Sequence, residues 1–96
     1  MENIKYKDAI IKIVEIFFPQ AKIYLFGSYA RGTNRIGSDI DIAIDSGRPL
    51  SFIEINRIAR LIDALSIAQR VDIVDFVVLP LELKKEILEN GVPWKI

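Results

Sequence analysis

The 96-residue chain carries 13 basic and 13 acidic residues, for a net charge of zero, and is 51% hydrophobic. That balance suits one globular domain, 1–96, with a real core, and it lacks the basic footprint of a dedicated nucleic-acid binder. Cysteine and histidine are both missing, which excludes disulfides, thiolate or imidazole metal sites and Ser-His-Asp catalysis, so chemistry must run on carboxylates, hydroxyls, Lys or Arg.

The opening Met1-Glu2-Asn3-Ile4-Lys5 lacks the basic-then-apolar layout of a secretion signal. No apolar run approaches the ~20 residues of a membrane span, so a cytoplasmic protein is expected. The first predicted helix runs from about Asn3 to Phe18, with isoleucines and phenylalanines on one side and Lys5, Lys7, Asp8, Lys12 and Glu15 on the other; Pro19 stops it. Ala21 to Phe26 is β-branched and aromatic and reads as a strand ended by Gly27. Ser28 to Gly32 fits one helical turn, followed by loop to Gly37. From Asp39 to Asp45 apolar and acidic residues alternate, so Ile40, Ile42 and Ile44 face a core while Asp39, Asp41 and Asp45 face away.

Ser51-Phe52-Ile53-Glu54 has the spacing of a capping box and predicts a helix from there to about Ala68. Its apolar stripe, including Phe52, Ile53, Ile58, Leu61 and Ile62, is expected in the core, with a dimer or partner surface as the alternative. Val71 to Leu79 is apolar on both faces apart from Asp72 and Asp75 and reads as an interior strand. Pro80 opens a last helix that ends at Asn90 before Gly91, and Val92 to Ile96 form a tail or edge strand. Trp94 reads as a packing residue. Helices alternating with strands predict an α/β (α+β) domain: a small mixed sheet of three to four strands packed with helices.

The residues that carry chemistry are Gly27-Ser28-Tyr29-Ala30-Arg31-Gly32 and, five positions on, Ser38-Asp39-Ile40-Asp41. Gly27 lets the backbone turn and approach a ligand. Ser28, at the start of a helical turn, offers a hydroxyl beside free N–H groups, and Arg31 adds a planar donor fork, both suited to phosphate. Asp39 and Asp41 lie two apart on a strand, their Cα atoms about 7 Å apart on one face. Such a pair repels itself unless a cation joins it. Mg²⁺ takes one or two carboxylates plus phosphates and water. Two such ions can clamp the attacking and leaving oxygens of a displacement. Gly-Ser alone marks any loop, and Asp-x-Asp alone is usually two solvated acids. The joint pattern in a strand–turn–loop–strand setting is the informative feature.

That pattern, G-S-x-A-R-G-x5-S-D-x-D, resembles the signature of the DNA polymerase β-like nucleotidyltransferase superfamily, in its minimal branch. The likeness spans the chain, extending to Val71-Asp72-Ile73-Val74 and to the closing Ile87-Leu88-Glu89-Asn90-Gly91-Val92. It implies the nucleotidyltransferase fold, with Gly27 and Ser28 on the triphosphate, Asp39 and Asp41 as metal ligands and Asp72 as the third acid that positions metal and activates the attacking hydroxyl. Asp72 and Asp75 have opposite parity on a strand. The family's acid before an Ile-Val step selects Asp72 and leaves Asp75 as a solvated strand-end acid. Tyr29 and Arg35 could touch base or ribose but read as ordinary surface residues, and Arg57, Arg60 and Arg70 read as the solvated side of a helix and its exit.

The resemblance further implies transfer of AMP from ATP, with Mg²⁺, to an acceptor hydroxyl. Minimal domains of this kind pair with a HEPN ribonuclease toxin, and the implied acceptor is a tyrosine of that toxin, which makes this chain the antitoxin. Two alternatives stay open: neutralisation of the toxin by binding alone, and transfer to a small molecule or RNA after oligomerisation.

Overall fold

The computed structural model describes residues 4–96. The first helix, α1, is Lys7–Phe17, and Asn3, where it was expected to begin, lies outside the described residues. The rest of the chain forms β1 (Lys22–Phe26), α2 (Ser28–Arg31), β2 (Ile40–Asp45), α3 (Phe52–Asp63), β3 (Val71–Asp75), a 3₁₀ turn (Phe76–Val78), α4 (Leu81–Asn90) and β4 (Val92–Lys95).

The four strands make one mixed sheet in the order β3-β2-β1-β4. β1 runs antiparallel to β2 and to β4, while β2 and β3 are parallel. A parallel pair needs a crossover connection, and α3 supplies it. The alternation read in β2 decides the layering. Ile40, Ile42 and Ile44 are buried in one core with Ile23 and Leu25 of β1, Ile10 and Val14 of α1, Ile58 and Ile62 of α3, and Trp94 of β4. Each such side chain contributes roughly 1.5–3 kcal/mol by leaving water. On the other face Ala43, Tyr24 and Phe76 pack beneath Ile87 of α4, with the Tyr24 and Phe76 rings 5.6 Å apart. β4 is tied to α1 by Lys95, which reaches Glu15 at 3.2 Å and also donates to the Pro19 carbonyl.

The capping box of α3 is complete: Ser51 Oγ accepts from the Glu54 amide at 3.1 Å and Glu54 Oε1 accepts from the Ser51 amide at 2.8 Å. Three expectations need correction. α3 stops at Asp63, short of Ala68, because the chain leaves the helix through a turn in which Ser66 has a positive φ of 55°. β3 is an edge strand rather than an interior one and gives way to the 3₁₀ turn after Asp75; its apolar residues reflect cover on both faces, not a neighbour on both sides. The apolar stripe of α3 is only half core: Ile58 and Ile62 are buried, but Phe52 is 81% and Ile53 62% exposed.

Candidate active site

β1 ends at Gly27, whose φ of 77° and ψ of −153° suit glycine. The position is closed to a side chain in a second way, since a Cβ there would stand 2.3 Å from Asp41 Oδ2. Gly27 therefore both turns the chain and makes room for the carboxylate on β2. The single turn of α2 follows, with the Arg31 amide donating to the Gly27 carbonyl at 3.1 Å, and Gly32 closing it in the left-handed conformation at φ 74°. No side chain caps this turn, so its leading N–H groups, next to the Ser28 hydroxyl, can meet an anion.

Asp41 is the centre of the site. Across β1 it is in register with Phe26, and across β3 with Asp72. Register partners on neighbouring strands share a face, so Phe26, Asp41 and Asp72 form a row over three strands. Asp39 stands just before β2. Burial pushes the Asp41 carboxyl above its usual range, the charges of Asp72 and then Asp39 push it further, and Arg31 and Arg70 oppose them. Arg70 Nη2 is 3.9 Å from Asp72 Oδ1, with both side chains well exposed.

Among the described residues no three acidic side chains stand close enough to hold an ion alone. The fit to Mg²⁺ lies in the donor set: oxygen-only carboxylates, with Asp41 and Asp72 in register on neighbouring strands, for an ion that needs only one or two of them when phosphate and water complete its shell. Two hollows lie at this end of the sheet. One, about 190 Å³, lies between α2 and α4 beside Gly27 and Arg31. The other is an open cleft of about 810 Å³ lined by Tyr29, Arg35, Asp39, Gln69 and Arg70.

The structure thus brings Gly27, Asp41 and Asp72 together, with Arg31 near enough to act on Asp41 and Asp39 at the cleft wall. Asp75 departs from expectation. It is 5% exposed rather than solvated, and its carboxylate accepts from the Leu50 amide at 2.7 Å and the Val77 amide at 3.1 Å. It ties β3 to the entry of α3 on the face away from the row. Arg70, expected to be only a solvated helix exit, proves to belong beside the acids. Its spacing two residues before Asp72 was the available signal.

Residues 8–93 match the family described as polymerase beta, nucleotidyltransferase. The chain belongs to this nucleotidyltransferase family. The protein adenylyltransferase MntA of Shewanella oneidensis is 34% identical over 86 residues, which are 88% of this chain and 61% of that protein. The chain spans about three fifths of the length of the curated relatives it matches. Solved structures agree. A crystal structure of a toxin–antitoxin with AMP-PNP superposes with a TM-score of 0.78 at 32% identity, covering 92% of this chain and 71% of that one. A tri-AMPylated Shewanella oneidensis HEPN toxin in complex with its MNT antitoxin gives 0.69 at 31% identity, covering 92% and 67%. The mixed α+β nucleotidyltransferase fold expected from the sequence is the fold observed. Among the described residues no helix is long and apolar enough to cross a membrane.

Proposed function

We propose that residues 1–96 form one minimal nucleotidyltransferase domain that moves AMP from ATP to an acceptor hydroxyl, a tyrosine on a HEPN-family toxin, and so acts as an antitoxin in the cytoplasm. The observation that carries this reading is Asp41, fitted against Gly27 on one side and in register with Asp72 on the other. The relatives named as protein adenylyltransferases and the AMPylated HEPN toxin of a structural neighbour support the choice of AMP and of a HEPN-family protein as acceptor.

Each residue then has a role. The α2 amides, the Ser28 hydroxyl and Arg31 hold the triphosphate and orient its pyrophosphate end. Asp39, Asp41 and Asp72 would hold Mg²⁺, one ion or two, whose charge, when bound, offsets that of the triphosphate. The acceptor oxygen bonds to the α-phosphorus, the bond from that phosphorus to the bridging oxygen breaks, and pyrophosphate leaves. Asp72, half exposed at the sheet edge, takes the hydroxyl proton. Catalysis is positioning and electrostatics, which needs no histidine.

The test is intact-mass spectrometry of the HEPN partner incubated with this protein, ATP and Mg²⁺. Adenylyl increments that vanish with Asp39→Asn, Asp41→Asn are expected. A stable complex without increments supports neutralisation by contact, a reading that the exposed Phe52, Ile53 and Leu61 of α3 favour.

A further inference from the structure

Both α3 and α4 expose apolar side chains to solvent. α3 packs with α1 on one face of the sheet, and α4 packs over Tyr24 and Phe76 on the other. On α3, Ile53, Arg57 and Leu61 follow one another at intervals of four, and Arg60 stands seven beyond Ile53. At helical spacing these four line one stripe, and all four are exposed, with Phe52 at its flank. α4 repeats the arrangement with Leu81, Glu82, Lys85, Leu88 and Glu89, where Leu81 is 65% and Leu88 59% exposed. Exposed apolar side chains gathered on one face mark a surface that meets another protein.

The two stripes differ in charge. Arg57 and Arg60 make the α3 stripe basic, while Glu82 and Glu89 make the α4 stripe acidic. Asp63 ends the first helix and Lys85 interrupts the second, but neither reverses the sign of its stripe. Pairing α3 with α3 would set arginine against arginine, and pairing α4 with α4 would set glutamate against glutamate. Like charges so placed disfavour both. α3 against α4 brings Ile53 and Leu61 to Leu81 and Leu88, and the two arginines to the two glutamates. Within one molecule the sheet separates these helices, so the match is available only between copies. The net charge of zero leaves no overall repulsion to oppose it.

We propose that α3 of one copy of this chain packs on α4 of the next, in a head-to-tail contact. Two different patches on opposite faces do not close a dimer. Each copy added leaves a free patch for another, so open chains or rings form. Two turns of helix on each side bury less than a standard interface, so assembly is weak and depends on concentration. The apolar side chains supply the attraction, and the arginine–glutamate pairs decide which face meets which. The contact uses no nucleotide, no metal and none of the acids Asp39, Asp41 and Asp72.

Analytical ultracentrifugation of the chain from low to high micromolar concentration tests it. The weight-average mass of the wild type should rise with concentration past that of a dimer, and added salt should lower it. Arg57→Glu, Arg60→Glu should stay monomeric, and so should Glu82→Arg, Glu89→Arg. Both should melt near wild type, because all four side chains are exposed. Mixed one to one, the two variants should assemble again, since each then meets its opposite. Leu88→Ser should weaken association at least fivefold and leave melting unchanged. A wild type that stays monomeric overturns the proposal, as does assembly that ignores the charge reversals, or a mixture that stays monomeric. Assembly that stops at a dimer also overturns it, in favour of a contact between identical faces. A monomeric wild type that holds the HEPN partner through Phe52 and Ile53 overturns it too, and gives the α3 face to that partner.

Discussion

The carboxylate of Asp41 occupies the space that a side chain on Gly27 would fill, with Oδ2 at 2.3 Å from the Cβ position. The two residues are 14 positions apart, yet Gly27 cannot gain a side chain while Asp41 stands where it does. Gly27→Ala adds a methyl group to a positive-φ position and drives it into Asp41. Such strain costs on the order of 1–3 kcal/mol. The variant should melt several degrees lower and lose Mg²⁺-dependent nucleotide binding, as read by thermal melts and calorimetry. Unchanged nucleotide affinity would remove Gly27 from the site.

Asp41 is held against its own preference. Its carboxyl is raised above the usual 3.8 by burial and by Asp72 and Asp39. The folded chain therefore binds that proton more tightly than the unfolded chain, and this group's contribution to stability grows as pH falls from above the raised value toward the usual one. At neutral pH the same logic favours a neutral side chain. In EDTA, Asp41→Asn should raise the melting temperature by a few degrees, from a gain of under about 1 kcal/mol at this partly exposed site. The stabilisation that Mg²⁺ and nucleotide give the wild type should disappear. A lower melting temperature in EDTA would mean that the three acids do not repel one another as described.

Asp75 and Asp72 should separate cleanly. Asp75→Ala strips two amides of their buried acceptor, and each such loss costs about 1–3 kcal/mol. Its melting temperature should drop by roughly 8 °C or more, with Mg²⁺ affinity kept in the folded fraction. Asp72→Asn should leave stability near wild type and abolish transfer. A reversed pattern would exchange the two roles.

Glu54 gives the fold an acid-sensitive contact. Arg48, at 2.7 Å, lowers its carboxyl from 4.5 to about 2, helped by the Ser51 amide. Its contribution is present above about pH 4.5 and is lost as pH falls toward about 2. Glu54→Gln should flatten melting temperature against pH in that window and change little at higher pH, because the pair is exposed and weak. Identical pH curves for variant and wild type would show that the ion pair adds nothing.

Much of this was legible in the residues themselves. The alternation of β2 set its isoleucines into the core and Asp41 away from it, and the Ser51–Glu54 spacing gave the start of α3. The parity of Asp72 and Asp75 showed that one alone could join the acids; register with Asp41 then puts Asp72 in the row. What failed depended on the tertiary environment. Composition does not reveal that β3 lacks an outer neighbour, since packing on both faces makes an edge strand as apolar as an interior one. Periodicity carried α3 past Asp63 because Ser66 has no sequence mark of a left-handed residue. The burial of Asp75 was hidden because its partners are backbone amides, one of them 25 residues away.

The crossover through α3 also sets when the site can exist. Gly27 and Asp41 meet once β1 and β2 pair, but Asp72 arrives only after the chain has closed the long loop to the parallel β3, a slow, non-local step. The full set of acids exists only once β3 has docked, so nucleotide with Mg²⁺ finds its tightest site on the completed domain. It should therefore act as a latch on the completed domain, slowing unfolding while leaving the folding rate nearly unchanged.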